Sequence, residues 1–536
     1  MHTLILAAGK IDYTRLPFGM HQSNATIPVN GKPVISWILD DLIKKNIKEV
    51  SIVIREENKR LKQLLDKHYS NRIGLNIIPI SNPKSLLSSI FAGIENIDVG
   101  AVQLILGDTL IYDSYSNMSD TIYVSPVSNS SNWCTAQVND SGELVALIDK
   151  KNLEGDDHIA LCGYYCLSDV SLLKQIVLES LKNEDKELSA VLLRYHKTKK
   201  VSLKHVENWF DFGHLESFIQ SRKSLLRPRH FNSLVINPIL NTLTKYSEKN
   251  DKLLDELNWY KLLPEDIQAL TPRIFNQKDS GSGITITQEF YGYPTLSELF
   301  VYGDLSVSVW ESIIDYLMQI HQLLKSRTKI DEVESCRTMY DLKTKERIDS
   351  LLQQNSFWQD LFKHDEIIIN NSSYENVSSL IEKLGVKIEK ICSKKELSII
   401  HGDFCMSNIL YDLNNQIVRL IDPRGSFGQK GIYGDSRYDI AKLRHSIVGN
   451  YDYIVGDLFT VQHSENEFQY GMFEDDKDAV LKKYFDKVIQ QQGYSIEEIK
   501  LIEGLLFISM IPYHVDHFDR QKMMFIRGIE ILNELV

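Results

Sequence analysis

The sequence predicts two joined units: an α/β domain with a mostly parallel sheet over residues 1–228, and an α+β bilobal domain over 229–536. Three observations carry this expectation. The first half alternates short β-rich runs with amphipathic helical runs, the pattern of a sheet covered by helices. The second half opens with β-like text and then becomes largely helical. Two acidic motifs, Leu106-Gly-Asp108 and His401-Gly-Asp403, each follow an apolar run, where ligand-binding residues of such folds collect.

In order along the chain, Thr3-Leu-Ile-Leu-Ala-Ala8 reads as a buried strand that Gly9 ends. Pro33 to Lys45 is helical, with apolar residues at three- and four-residue spacing, and Glu49 to Ile54 is the next strand. Asn58 to His68 is helix, Leu75 to Ile80 strand, Ser85 to Ile97 helix, and Ala101 to Leu106 an almost wholly apolar strand. A basic stretch with a proline, Ser221 to His230, suits a linker. Phe231 to Tyr246 is β-like, the chain is helical from Asp251, and Glu396 to Asp422 is a β-rich island. Ser326 to Asn371 reads as polar helix and loop. The small lobe of the second domain is expected at about 229–295 and the large lobe at about 296–536.

Composition narrows the function. A hydrophobic fraction of 43% with 25% charged residues belongs to a folded globular protein. The net charge of −12 gives no electrostatic support to nucleic acid or an anionic membrane as the main partner. The six cysteines (Cys134, Cys162, Cys166, Cys336, Cys392, Cys405) form no Cys-x-x-Cys pair and read as small buried hydrophobes of a reducing compartment. The apolar start is too short for a secretory leader, and no window of about 18 apolar residues could cross a bilayer. A cytoplasmic protein without membrane insertion is expected, and a homo-oligomer stays open.

The first chemistry-bearing constellation begins where the opening strand meets Ala8-Gly9, followed by Lys10 and Arg15. A glycine there lets backbone N–H groups approach a phosphate, and the cations neutralise it. Ile27-Pro-Val-Asn-Gly-Lys-Pro33, Leu106-Gly-Asp108, Asp149-Lys-Lys151, Leu161-Cys-Gly-Tyr-Tyr165 and Trp209-Phe-Asp-Phe-Gly213 follow in order. This order resembles the sugar-1-phosphate nucleotidyltransferases, a family that includes phosphocholine cytidylyltransferases, over about residues 1–225. The resemblance implies a Rossmann-like domain that binds an NTP (CTP, UTP or GTP) at Ala8, Gly9, Lys10, Arg15 and Ser85. It places Mg²⁺ on Asp108 and Asp211, a catalytic lysine at Lys150 and a substrate contact at Gly163. Two departures stand out. Gly9 is followed by Lys-Ile-Asp-Tyr-Thr-Arg15 rather than the usual G-x-G-x-R, and Ser23-Asn24 replaces the usual dipeptide with its lysine. Lys10, Arg15 or Lys32 could stand in; without a substitute the loss is about 2–4 kcal/mol of transition-state stabilisation.

The second constellation is sharper. His401-Gly-Asp-Phe-Cys-Met-Ser-Asn408 has the H-x-D-x-x-x-x-N spacing of kinase catalytic loops, with Asp403 to accept the substrate hydroxyl proton and Asn408 to reach a metal. Fourteen residues beyond Asn408, Ile417-Val-Arg-Leu-Ile421 ends in Asp422, where a second metal carboxylate belongs. The residues resemble the aminoglycoside phosphotransferase and choline kinase group over roughly 231–536, including an Asp435-Ser-Arg-Tyr-Asp-Ile-Ala441 segment in which Asp439 would hold the loop. The resemblance implies a protein-kinase-like fold, ATP and Mg²⁺, with Lys245 on the phosphates, Glu256 orienting it, and Glu289 in the hinge at the nucleotide. Choline kinases follow the metal aspartate with tryptophan. Here Pro423-Arg424-Gly425 follows, and Arg424 beside the acceptor favours a neutral or anionic substrate over a cation.

A kinase makes a phosphate monoester and a nucleotidyltransferase consumes one. The expected function is therefore a bifunctional enzyme that phosphorylates a sugar, polyol or small alcohol and couples the product to an NMP, feeding a surface polysaccharide or glycolipid. The partners are the small-molecule hydroxyl substrate and its phosphate. Two alternatives stay open: a choline kinase–phosphocholine cytidylyltransferase fusion, and an active kinase with a non-catalytic N-terminal binding module.

Overall fold

The computed structural model describes residues 1–11, 23–113, 120–155, 157–185, 187–225, 233–237, 239–248, 250–279 and 283–536. The chain divides into two compact units, Met1–Leu225 with Tyr302–Asp304, and Leu226–Val301 with Leu305–Val536.

The first unit is built on a nine-stranded mixed sheet. Its strands are β1 (His2–Leu6), β2 (Glu49–Arg55), β3 (Gly74–Ile80), β4 (Val102–Leu106), β6 (Thr121–Val127), β7 (Cys134–Val138), β8 (Leu144–Asp149), β9 (His158–Leu167) and β10 (Ser202–His205); β5 (Thr109–Ile111) and β11 (Trp209–Asp211) form a separate two-stranded ladder. The order is β8-β7-β9-β4-β1-β2-β3, with β6 pairing β9 and β10. The strands β3, β2, β1 and β4 run parallel, and β9 turns antiparallel against β4. Leu4, Ile5 and Leu6 are buried, as are Leu104 and Ile105, which is why these strands read as unbroken apolar runs rather than alternating ones. Two of the crossover helices are α1 (Val34–Lys44) and α2 (Leu86–Ile94), both with buried apolar faces. The basic stretch expected as a linker starts inside a helix, Leu215–Leu225, and its remainder lies outside the described residues.

The second unit opens with a four-stranded antiparallel sheet ordered β12 (Ser233–Asn237), β13 (Thr242–Ser247), β15 (Ile284–Glu289), β14 (Ile274–Asp279). Helix α3 (Asn250–Leu262) packs on it through Leu253 and Leu257. The helical remainder includes α4 (Lys343–Gln354), α5 (Ser436–Ile447), α6 (Ile496–Met510) and α7 (Phe518–Asn533). Every residue of α5 is buried, charged ones included. Such burial is tolerable only with partners: Arg437 pairs with Asp435, and Arg444 with Asp486 and Glu503.

The region expected as polar helix and loop contains strands as well. Strands β16 (Glu366–Ile369) and β17 (Ser372–Glu375) form a hairpin, joined by β20 (Phe459–Ser464) and β21 (Glu467–Met472) in one sheet. Asn370 and Asn371 both have positive φ (47° and 66°), the left-handed pair that a two-residue hairpin turn needs. The signal was present: an apolar triplet followed by Asn-Asn. Between these elements, β18 (Ile409–Asp412) and β19 (Ile417–Leu420) form a hairpin next to the His401 loop. Among the described residues, no helix is long and apolar enough to cross a membrane.

Candidate functional sites

The first site forms beyond the carboxyl ends of β1 and β4. Pairing of β5 with β11 sets Asp211 opposite Thr109, and the Phe212 N–H donates to the Asp108 carbonyl at 3.0 Å. That short ladder brings together two aspartates remote in sequence. A Cβ built on Gly213 would stand 3.4 Å from Asp108 Oδ2 and 3.5 Å from Asp211 Oδ1, so both carboxylates face one gap. His214 Nδ1 pairs with Asp211 Oδ2 at 2.9 Å. Burial, and then the charge of Asp211, push the Asp108 carboxyl above its usual range. Two carboxylates with a single imidazole leave a deficit of positive charge, and this donor set fits a divalent cation. Among the described residues no group of three or more His, Cys, Asp or Glu is arranged to hold a metal, so other ligands would have to come from substrate or water.

Asn24 occupies the position of the missing lysine in the resemblance. Its amide donates to Asp108 Oδ2 at 2.9 Å and its backbone N–H to the Gly9 carbonyl at 2.9 Å, tying the glycine turn to the carboxylate pair. A Cβ on Gly9 would lie 2.9 Å from Asn24 Nδ2. Ala8 is buried, and its carbonyl accepts from Arg55 Nε at 2.8 Å. Lys10 is exposed and bridges Ser23. Arg15 lies outside the described residues. Lys32 is engaged by Asp40 and stands 4.2 Å over the Trp37 ring.

Lys150 directly follows β8 in the left-handed region, with φ 47°, and its N–H donates to the Trp133 carbonyl at 3.0 Å. The Trp133 ring packs edge-on against Trp209 and His214, so Lys150 borders the carboxylate pair through that ring. Gly163 has φ 82° at an irregularity in β9, and a Cβ there would lie 2.7 Å from Thr109 Cγ2, next to Asp108. That close approach and the positive φ leave no room for a side chain at this position. Ser85 caps α2 by accepting from the Ser88 N–H, and no contact among the described residues ties it to the carboxylates. His214 and Trp133 escaped the sequence reading, and Asn24 was read only as the place of a missing lysine, not as a partner of Asp108. The adjacency of His214 to the Trp209-x-Asp-x-Gly213 segment was the available signal for the first.

The second site gathers six residues singled out from sequence: Lys245, Glu256, Asp403, Asn408, Asp422 and Asp439. Lys245 Nζ on β13 lies 2.7 Å from Glu256 Oε1 on α3 and 2.5 Å from Asp422 Oδ1. Burial disfavours the ammonium, but Asp422 and Glu256 outweigh it and raise its pKa. Asn408 Nδ2 donates to Asp403 Oδ2 at 2.9 Å and to the Asp403 carbonyl at 3.0 Å. The Ile421 N–H donates to the Asn408 carbonyl at 3.0 Å, which registers Asp422 against the loop. Asp439 receives the N–H groups of His401 (2.7 Å) and Gly402 (2.9 Å), anchoring the loop backbone. Asp422 itself has φ 55°, outside ordinary strand geometry.

Lys442 was missed. Its Nζ lies 2.9 Å from Asp403 Oδ1. Burial works against the Asp403 charge, yet Lys442, with His401 and Arg424, holds that carboxyl below its usual range and therefore ionised at neutral pH. The signal was the spacing: Asp439 and Lys442 stand three apart on α5 and so share a face. Arg424 is anchored by its N–H to the His401 carbonyl (3.0 Å) and donates through Nη1 to Tyr438 Oη (2.8 Å). Glu289 ends β15, where Oε2 accepts from Tyr291 Oη at 2.6 Å. The segment after it is stitched to the β18 hairpin by Tyr411 N–H to the Pro294 carbonyl at 2.9 Å.

Gly425 is required by contact. It has φ 66°, and a Cβ would stand 2.1 Å from the Asp255 carbonyl oxygen, next to Glu256. Gly425→Ala is expected to cost about 3 kcal/mol or more by strain and forced displacement. Thermal unfolding should show a clear fall in midpoint; an unchanged midpoint would contradict this placement.

The buried histidines of the second unit should weaken it in acid. Burial depresses His321 and His401 to about 4 from an ordinary 6.5, and depresses His445 further. Their neutral forms fit the fold, so the contribution is present above pH 6.5 and is lost as pH falls toward 4. At pH 5, His321 and His401 would each cost about 2 kcal/mol. Asp439, raised to about 7 by burial, opposes this, because protonation favours its buried state. His514 is also depressed to about 4, while burial also raises Glu256, Asp452 and Glu503, so the histidine share is the part of the change in unfolding midpoint between pH 7 and pH 5 that His321→Gln removes; an identical change in variant and wild type would refute the assignment.

Comparison with known proteins adds to the first unit. Residues 2–227 match the Nucleotidyl transferase family. The match spans the first unit and supports a nucleotidyl transferase enzyme there, a family that takes an NTP substrate and usually Mg²⁺. Solved structures similar to it include a UDP-glucose pyrophosphorylase complexed with UDP-glucose, at 18% identity and TM-score 0.36, over 42% of this chain and 97% of that one. HddC from Yersinia pseudotuberculosis has 17% identity and TM-score 0.35, over 42% of this chain and 100% of its own. CTP:phosphocholine cytidylyltransferase (LicC) from Streptococcus pneumoniae has 15% identity and TM-score 0.34, over 42% and 99%. No curated protein matches the chain.

Proposed function

We propose that the chain is a bifunctional enzyme. The second unit phosphorylates a small hydroxyl compound with ATP, and the first couples the phosphorylated product to an NMP from CTP, UTP or GTP, releasing pyrophosphate. The observation that carries the phosphotransferase half is the joint placement of Asp403 with Asn408 and of Lys245 with both Glu256 and Asp422. A loop aspartate, a loop asparagine, a strand lysine and a post-strand aspartate converging in one unit is the equipment for phosphoryl transfer.

In this reading Asp403 accepts the proton of the substrate hydroxyl as its oxygen attacks the γ-phosphorus and the bond to ADP breaks. Lys245 holds the α- and β-phosphates and Glu256 aims it. In the first unit the phosphate monoester attacks the α-phosphorus of the NTP, with the Ala8-Gly9 turn and Lys10 at the phosphates and Lys150 at the sugar phosphate. Asp108 with Asp211, and Asn408 with Asp422, would hold Mg²⁺, which neutralises phosphate charge. Joining the two activities in one chain supplies consecutive steps toward an NDP-linked precursor, of the kind consumed in surface polysaccharide or glycolipid synthesis. The work fits a cytoplasmic enzyme.

The test is a mass-spectrometric screen of a hydroxyl-compound library with ATP, followed by pyrophosphate release from each NTP with the phosphorylated hits. A product phosphorylated and then coupled to NMP is expected. Conversion of labelled choline with ATP and CTP to a CDP-linked product would replace this with the choline version. Silence of the pyrophosphate assay across all NTPs, beside an active kinase, would make the first unit a binding module.

A further inference from the structure

Beside Asp403 the second unit gathers four cations, Lys442, Arg424, Lys343 and Arg347, of which Lys442 alone is ion-paired to a carboxylate among the described residues. Lys442 is spent on Asp403. Arg424 is packed with its Cβ against Gly402, where an added Cβ would lie only 2.8 Å away, and so stands next to the Asp403 loop. Its guanidinium donates to the Tyr438 hydroxyl. Lys343 and Arg347, four apart on α4, share one face of that helix. Arg347 Nη1 donates to the Ser509 carbonyl (3.1 Å) and hydroxyl (3.2 Å), and its Nη2 to Tyr513 Oη (3.1 Å), which points the guanidinium at the α6 end that also carries Met510. Lys442 Nζ meets Met510 Sδ at 3.7 Å, which places Asp403's partner at the same end. Among the described residues Lys343 Nζ meets only the weak acceptor Met339 Sδ, at 3.8 Å.

Among the described residues, none of Lys343, Arg347 and Arg424 has a carboxylate at ion-pair distance. Burial, then the charges of Arg424, Arg347 and Lys442, push the Lys343 ammonium down to about 7, against the opposing charge of the exposed Glu346. Gathering like charges without counter-charge is unfavourable, and a bound anion removes the penalty. The phosphates of ATP already have a cation in Lys245, which is tied instead to Glu256 and Asp422.

We propose that Lys343, Arg347 and Arg424 form the acceptor subsite of the second unit and hold the anionic group of a small hydroxyl compound, carboxylate or phosphate, with its free hydroxyl presented to Asp403. The proposal rests on the phosphotransferase reading above. The hydroxyl proton passes to Asp403, the hydroxyl oxygen bonds to the γ-phosphorus, and the bond from that phosphorus to the ADP oxygen breaks.

The experiment measures phosphoryl transfer from ATP to D-glycerate, glycerol 3-phosphate, glycerol and choline by the full chain, with equilibrium binding of the two anions measured alongside. At least tenfold higher kcat/KM is expected for one of the anions than for glycerol or choline; which anion wins separates carboxylate from phosphate. Lys343→Met and Arg347→Met should each raise KM for that anion at least tenfold with KM for ATP unchanged, and circular dichroism should report an intact fold. Preference for glycerol or choline, or a rise in KM for ATP in place of the acceptor, would overturn the subsite. If the anions bind in a Lys343-dependent manner but nothing is phosphorylated, the kinase reading falls and the anion site stands. If neither binding nor transfer occurs, both fall.

Discussion

Asp403→Asn should lower ATP-dependent phosphorylation by about 10³-fold, within the range ascribed to a positioned general base, and leave pyrophosphate release by the first unit at its wild-type rate. The argument is local. Asp403 is held ionised by Lys442 at 2.9 Å and oriented by Asn408 at 2.9 Å; the amide keeps the size of the side chain and one of these two contacts, and removes the proton acceptor. KM for ATP should hardly move, because Lys245, Glu256 and Asp422 are untouched. Single-turnover assays on each activity would read this directly. Near-normal phosphorylation in the variant would remove Asp403 from the reaction and, with it, the phosphotransferase reading.

The converse variant, Asp108→Asn, should lower pyrophosphate release by about 10²-fold or more, the size of effect seen when a group stabilising transition-state charge is removed, and spare phosphorylation. Burial and the neighbouring Asp211 already strain the Asp108 charge, so neutralising it should not destabilise the fold. The loss should therefore appear in catalysis and in the Mg²⁺ dependence, with an unchanged or higher unfolding midpoint. If activity fell only because the unfolding midpoint fell, the carboxylate pair would be structural. A second effect is expected at Asn24, whose amide would then face an amide rather than a carboxylate.

Much of this was legible in the residues. Continuous apolar runs such as Thr3 to Leu6 announced buried parallel strands, because a strand covered on both faces cannot alternate. The octapeptide His401 to Asn408 carries the spacing of a kinase catalytic loop within eight residues, so that expectation could be formed without any knowledge of the packing. The hairpin at Asn370 and Asn371 was also written locally and was overlooked among polar residues.

Other features had no local signature. Lys32, a candidate to replace the absent lysine, is engaged by Asp40, a fact of packing. Lys343 and Arg347 look in sequence like the solvated face of a polar helix; only the fold lays that face beside Arg424 and Lys442. Sequence alone thus determined the strand and helix text, the two acidic motifs and the order of the two units, since these follow from periodicity and short-range chemistry. Tertiary structure decided which charges are neutralised and which are left waiting. An ion pair depends on distances of a few ångströms between segments tens to hundreds of residues apart, and only the packed chain sets those.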